Sequence, residues 1–443
     1  MARFLIATIP VVGHVSPMLP IAQTLISRGH EVWWYTGALF QERIAAIGAR
    51  FVPMHAGLDY SIAENVPAEL SAQRRELRGL AQLKFDLEHF FIKAAVGNAK
   101  DLLNFLEQFP ADGIVADSFF VAAAWVHERQ GIPWAQLGIS ALTLPSRDTA
   151  PFGLGLKPDA SLLGRLRNRV LYELLQSVVF RSLYTCVNEA RSQVSLGSTN
   201  TLLFDVLSPY LYLAGTVPGF EYPRSDLPPQ VHFIGPLLPE TMPNFTPPPW
   251  WSDLDQEIPV IHVTQGTVAT DPEDLIIPTL QALKDESVLV IVTLGNRSAA
   301  DWEAFPLPNN VRVEPFIPYE FLLPYVDVMV TNGGYNGVQM ALAHGIPLVA
   351  AGKSEDKSEI CARIAWRGVG VDLKTKTPKP DQVRQAVRQV LSDPLYRQHA
   401  KQLQTEIAQY HPAEQAATLL EALVQTKQPI VNNSSAAALS FQR

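Results

Sequence analysis

Short apolar runs, each closed by glycine, proline or a polar cluster, alternate with stretches of helical spacing along nearly the whole chain. In the first half, Phe4 to Thr8, Glu31 to Tyr35, Arg50 to Pro53, Gly113 to Phe119, Pro133 to Gly138 and Val231 to Gly235 read as strands. Helical spacing falls between them, from Met18 to Arg28 with a stop at Gly29, from about Leu39 to Ile47, and over much of Asp59 to Asn104. It resumes from Val121 to Gln130 and from Leu162 to Val187. Residues 140 to 230 otherwise carry little pattern. The second half restarts the alternation, with strands at Val260 to Thr264, Val288 to Thr293, Val311 to Glu314, Val326 to Val330 and Pro347 to Ala351. Its helices are expected at about Asp274 to Leu283, Met340 to His344, Asp381 to Leu391 and Pro394 to Gln409. This β-loop-α-β order predicts an α/β protein built on doubly wound parallel sheets.

Six prolines between Pro236 and Pro249, closed by Trp250-Trp251, interrupt the alternation and read as an extended, semi-rigid linker. The expected organisation is therefore a domain over 1–235, a linker over 236–252, a second domain over 253–425 and a polar tail over 426–443, expected to be disordered. The last helix of the second domain could pack back on the first. Two doubly wound domains facing across a cleft suit a two-substrate reaction.

Composition narrows the classes. The chain of 443 residues is 47% hydrophobic and 18% charged, enough for large cores. A net charge of -8 with no long Lys/Arg run disfavours a nucleic-acid partner. Cys186 and Cys361 show neither CxxC nor metal spacing and read as reduced thiols of a cytoplasmic protein. No segment approaches the ~20 apolar residues of a membrane span. The helix carrying Arg165, Arg169 and Arg181 suits either peripheral membrane contact or a solvated face.

Candidate chemistry gathers where strands end, since ligands of such sheets sit beyond the carboxyl ends of the strands. His14 follows the first strand and Asp117 ends another. Gly13 stands alone, so the dinucleotide GxGxxG is absent. The stretch Asn332-Gly333-Gly334-Tyr335-Asn336-Gly337 reads as a strand, a glycine turn and a helix start, where unpaired N–H groups suit a phosphate or diphosphate. After the next strand, Asp356 and Lys357 sit in a charged loop, open either to sugar hydroxyls or to solvent. His30, His55, His89, His127, His262 and His344 show no zinc spacing, and no metal is expected.

Taken in order, Gly13-His14-Val15-Ser16-Pro17, the strand-terminal Asp117, the proline linker, the G-G-x-N turn at Gly333 to Asn336, Gly345-Ile346-Pro347 and the acidic Glu355-Asp356 resemble the family 1 UDP-glycosyltransferases. The bacterial macrolide and flavonoid enzymes are the nearer branch, and the resemblance covers nearly the whole chain. It implies a GT-B fold of two Rossmann-like domains and an inverting, metal-independent transfer with no cofactor beyond the nucleotide sugar. His14 would be the general base and Asp117 its partner. Thr267 and the glycine turn would hold the diphosphate. Phe316 would stack on the base, and the Ile317 backbone would hydrogen-bond it. Partners implied are a nucleotide-sugar donor, UDP-linked by the family pattern, and an apolar hydroxylated acceptor such as a polyphenol, polyketide, terpenoid or carotenoid. A monomer or a dimer is equally compatible.

The departures from the family are specific. Asn332 replaces the usual His, Gly337 a Ser or Thr, Met340 a ribose-binding Glu, and Phe316 a Trp. Asp356-Lys357 replaces an acid-Gln pair. They leave open an alternative, a catalytically reduced GT-B protein that binds a nucleotide or lipid without transfer.

Overall fold

The computed structural model describes residues 1–239, 244–266, 271–295 and 307–432. The first sheet contains β1 (Arg3–Ala7), β2 (Glu31–Tyr35), β3 (Arg50–Val52), β4 (Gly113–Asp117), β5 (Trp134–Gly138), β6 (Leu211–Ala214) and β7 (Val231–Phe233). Their order is β3-β2-β1-β4-β5-β6-β7, parallel at every pairing. The second sheet contains β8 (Val260–Thr264), β9 (Leu289–Thr293), β10 (Val311–Glu314), β11 (Val328–Thr331), β12 (Leu348–Ala350) and β13 (Gly370–Asp372). It runs β10-β9-β8-β11-β12-β13, again parallel. Helices cover both faces of each sheet. Every residue of β4, β5, β8 and β9 is therefore buried, and these strands read as continuous apolar runs rather than alternating ones.

In both sheets the winding reverses once, between β1 and β4 in the first and between β8 and β11 in the second. Connections from the two strands at such a point leave in opposite directions and open a crevice at the carboxyl edge. Those two crevices set the positions of the functional side chains.

Several elements differ from the sequence expectation. The strand expected to reach Phe119 ends at Asp117, because the Asp117 carboxylate accepts the Phe119 N–H (2.9 Å) and turns the chain. The continuous helix expected over Leu162 to Val187 is three pieces: Leu162–Leu174, a wider π turn Leu175–Val179, and Arg181–Ser192. The break falls at Phe180, whose ring is buried in the first domain's core. β6 and β13 were not expected; four and three residues are too short to announce a period.

The helix Pro412–Thr426 crosses back to the first domain. Ala416, Ala417, Leu420 and Leu423 share a core with Phe4, Ile6 and Leu25. Glu421 receives both Arg28 Nη1 and His30 Nε2 at 2.8 Å, so His30 is a structural residue. The tail expected to be loose from 426 is held at its start, where the N–H groups of Ile430 and Asn432 bond Tyr210 O (2.8 Å) and Pro229 O (2.7 Å). At the other crossing Trp250 Nε1 donates to Glu314 (2.8 Å) and Trp251 packs on Phe245 and Tyr325.

His262 inside β8 is also structural. Its Nε2 lies 2.9 Å from Thr293 Oγ1, and burial holds its pKa down to about 3. Below pH 6.5 the unfolded chain takes a proton that the native ring refuses. Stability present above pH 6.5 is therefore expected to be lost as pH falls, by about 1.4 kcal/mol per pH unit from this group. Urea midpoints from pH 7 to pH 4 should show a shallower acid slope for His262→Gln; an unaltered slope would assign acid sensitivity elsewhere.

Candidate active site

At the first crevice, the chain leaving β1 passes Ile9 and forms a short helical turn, Val12–Val15, that carries His14. Asp117 closes β4 on the other side of the crevice. Its Oδ2 accepts the Ile9 N–H (2.7 Å), and its Oδ1 accepts the Phe119 N–H (2.9 Å) and lies 3.0 Å from His14 Nδ1. The carboxylate is thus buried and fixed by two backbone donors. It can only accept, so a neutral His14 donates from Nδ1 and keeps its lone pair on Nε2. The His14 side chain remains 15% exposed, enough for one face of the ring to meet a ligand. A row of rings leads away from it, from His14 to Phe119 (5.8 Å), to Phe204 (5.9 Å) and to Phe152 (6.1 Å).

At the second crevice, β11 ends in Thr331 and the helix Tyr335–Ala343 begins after a glycine turn. Gly333 has φ +83°, and a Cβ there would lie 2.7 Å from Cys361 Sγ, so both conformation and space require glycine. The N–H groups of Gly333 and Gly334 are already used, by Thr331 Oγ1 and Asn332 Oδ1 at 3.2 Å each. Asn332 is buried, and its Nδ2 donates to Gln265 O at the end of β8, tying the two strands of the switch point together. Its amide is therefore engaged within the protein. The open donors lie one step on. The N–H groups of Tyr335, Asn336 and Gly337 have no acceptor among the described residues, and the helix gives them a partial positive charge. A Cβ on Gly337 would meet nothing within 4 Å, which leaves its N–H approachable. Thr267 lies outside the described residues. Phe316 is 50% exposed and free to stack, whereas the adjacent Ile317 side chain is buried.

Asp356 and Lys357 are not in a solvated loop. Asp356 stands at the start of the helix Lys357–Trp366, and Lys357, Ser358 and Glu359 are buried. Asp356 receives a hydrogen bond from Ser140 Oγ of the first domain, and Lys357 Nζ donates one to Glu355. Burial pushes the Asp356 carboxyl up, against the pull of Ser140 and Lys357.

This clasp extends into a buried network with no counterpart in the sequence reading. Glu359 Oε1 accepts Gly153 N–H (3.0 Å) and Gly155 N–H (2.7 Å), and its Oε2 accepts from Arg363 Nη1 (2.9 Å). Arg363, 1% exposed on its side chain, also donates to Glu221 Oε2 from Nε (3.1 Å) and Nη2 (3.0 Å) and lies 4.1 Å over Tyr222. Burial works against the Arg363 charge, but Glu221 and Glu359 hold its pKa above the ordinary value. Glu221 and Arg363 are 142 residues apart, so no local pattern could pair them. The i,i+4 spacing of Glu359 and Arg363 was the available hint of a helix.

A crevice runs along the seam between the domains. Pro17 beside the His14 turn, and Asn336, Gln339 and Met340 on the facing helix, line it with Gly138, Gly215 and the linker residues Pro236 and Leu238. Gln339 Nε2 crosses it to Thr216 Oγ1 (2.7 Å). Two doubly wound parallel sheets in one chain, one with a His–carboxylate pair at its switch point and the other with an open helix start, have the architecture of a GT-B protein.

Residues 277–423 match the C-terminal domain of the erythromycin biosynthesis protein CIII-like family. The chain is 48% identical over 426 residues to a 4'-demethylrebeccamycin synthase of Lentzea aerocolonigenes, covering 96% of this chain and 100% of that one. It is 35% identical to UDP-glycosyltransferase 2 of Phaeomoniella chlamydospora, over 91% of each. Among solved structures, a glycotransferase of kitacinnamycin superposes with a TM-score of 0.73 over 95% of this chain and 98% of that one; at 21% identity the likeness is one of fold. The chain belongs to the UDP-glycosyltransferase-like family of GT-B glycosyltransferases and is itself a glycosyltransferase.

Proposed function

We propose that this glycosyltransferase moves a sugar, with inversion and without a metal, from a nucleotide diphosphate to a hydroxyl of an apolar natural product. UDP is the favoured carrier. The observation that carries the proposal is a pair of switch points, one holding His14 on Asp117 and the other presenting the N–H groups of Tyr335, Asn336 and Gly337, with Pro17 of the first and Tyr335 and Asn336 of the second lining one crevice between the domains.

The chemistry follows from that pairing. The acceptor oxygen attacks the anomeric carbon as His14 Nε2 takes its proton, and the bond from that carbon to the diphosphate oxygen breaks on the opposite face. Asp117 stabilises the imidazolium, and the helix start stabilises the leaving diphosphate. Phe316 stacks on the base. Asp356 and Lys357, engaged in the clasp, reach the sugar only by exchanging their present partners. The ring row from His14 to Phe152 supports an apolar, extended acceptor. The name of the Lentzea relative, 4'-demethylrebeccamycin synthase, supports a natural-product acceptor of this kind, and the name of the Phaeomoniella relative supports UDP.

The test is thermal unfolding with UDP and dTDP, then transfer assays over a panel of hydroxylated aglycones. A diphosphate at 100 times its Kd should stabilise the fold by about 2.7 kcal/mol. Turnover should survive EDTA, and the product should carry the anomeric configuration opposite to the donor's. Binding without transfer across the panel would support a catalytically reduced protein, and loss of turnover in EDTA would remove the metal-independent mechanism.

A further inference from the structure

Away from the cleft, the outer face of the helix Leu162–Leu174 and of the turn Leu175–Val179 runs against the usual order. A helix on a globular body turns its apolar stripe inward. Here Gly164 and Asn168 are buried against the body, while Leu162, Leu163, Leu166, Val170, Leu174 and Val178 are 51–85% exposed. In a regular α-helix each four-residue step drifts by about 40°. The wider turn at Leu175–Val179 brings Val178 back toward the line of the others. The result is an apolar face about 120° wide and nearly five turns long, with the exposed Glu173 on it.

Its flanks are basic. Within 157–181 the chain has five basic residues and two acidic ones, although the whole protein carries a net charge of -8. Arg165 is held by Asp148 (2.9 Å), and Arg167 bonds Asn168 Oδ1 (2.9 Å) and Lys157 O (3.3 Å). Arg169 and Arg181 are exposed and make no ion pair among the described residues. A contiguous exposed patch of this kind marks an interaction surface.

We infer that this face docks on an anionic lipid bilayer, the helix lying in the plane of the interface with its leucines in the acyl boundary and its arginines among the headgroups. The charge pattern selects this occupant over a second copy of the chain, which would set arginine against arginine. Six aliphatic side chains also fall short of the 20–30 residues, about 800 Å² per partner, of a standard protein interface. The loop before the helix carries Phe152, the far end of the ring row from His14. A docked protein would therefore present that row to an acceptor dissolved in the bilayer. This last step rests on the proposed transfer reaction, whereas the docking does not.

The test is co-sedimentation of the full-length protein with phosphatidylcholine vesicles, with and without phosphatidylglycerol. Binding to the anionic vesicles is expected, at least about tenfold above that to the zwitterionic ones. It should fall about tenfold when Leu166, Val170 and Leu174 are replaced by serine. Arg169→Gln and Arg181→Gln should each lower it roughly fivefold. Nucleotide binding and turnover of a water-soluble acceptor should be unchanged in every variant, which separates loss of docking from misfolding or from failure of the transferase reading. No binding to anionic vesicles, or binding indifferent to the serines, would overturn the inference. A dimer that the serine substitutions dissociate, with no vesicle binding, would give the stripe to a second copy instead.

Discussion

Replacing His14 by alanine is expected to lower kcat by about 10²–10⁴-fold, the range a positioned general base supplies. Nucleotide affinity should hold, because the donor groups sit at the other switch point and the His14 turn makes no hydrogen bond to them. The measurement is a kcat and KM comparison at several pH values, with nucleotide Kd by calorimetry. Wild-type turnover should depend on an ionisation that is absent from the residual activity of the variant. Undiminished kcat would move the base elsewhere. Asp117 would not take over the role, since it is buried and its carboxylate still receives the Ile9 and Phe119 N–H groups.

The second large effect concerns stability. Arg363→Ala leaves Glu221 and Glu359 buried without their cation, which costs about 3–5 kcal/mol. For a 443-residue chain unfolding as one unit, a loss of Tm of about 3–5 °C should follow. Because Glu221 and Arg363 belong to different domains, calorimetry should also resolve two transitions where the wild type shows one. The cost comes from uncompensated charge rather than from the missing attraction. The triple variant Arg363→Met, Glu221→Gln, Glu359→Gln is therefore expected to recover most of the loss. If the triple variant is no more stable than the single one, packing of the guanidinium over Tyr222, rather than its charge, is what matters.

How much of this was legible beforehand depends on distance along the chain. His14 and Asp117 could be set at one sheet edge because each follows an apolar run, and a doubly wound order brings the first strand beside a later one. The glycine turn was legible for the same reason, in the step from Val330 to Gly334. What the residues could not disclose is which N–H groups remain open. Asn332 resembles a phosphate ligand in sequence, but only the fold shows its amide spent on Gln265 and the free donors displaced to Tyr335, Asn336 and Gly337. Lys357-Ser358-Glu359 read as loop because three polar residues together suggest solvent. They are buried because a partner domain closes over them, and nothing within ten residues announces that domain. The Leu162 helix shows another limit: its spacing announced a helix, but neither the break at Leu175–Phe180 nor the face that the body covers.

The return of the helix Pro412–Thr426 to the first domain has a consequence for how the protein is made. One face of the first sheet, around Phe4 and Ile6, is completed by Leu420 and Leu423. A ribosome adding roughly 5–20 residues per second delivers those leucines some tens of seconds after the sheet's first strand has emerged. Throughout that interval the nascent first domain carries an open apolar seam of the sort that chaperones bind. The two domains cannot mature one after the other as separate beads. The first is sealed only when the second has been almost fully translated, so a ribosome stalled before Pro412 releases an unsealed first domain, whatever the state of its catalytic residues.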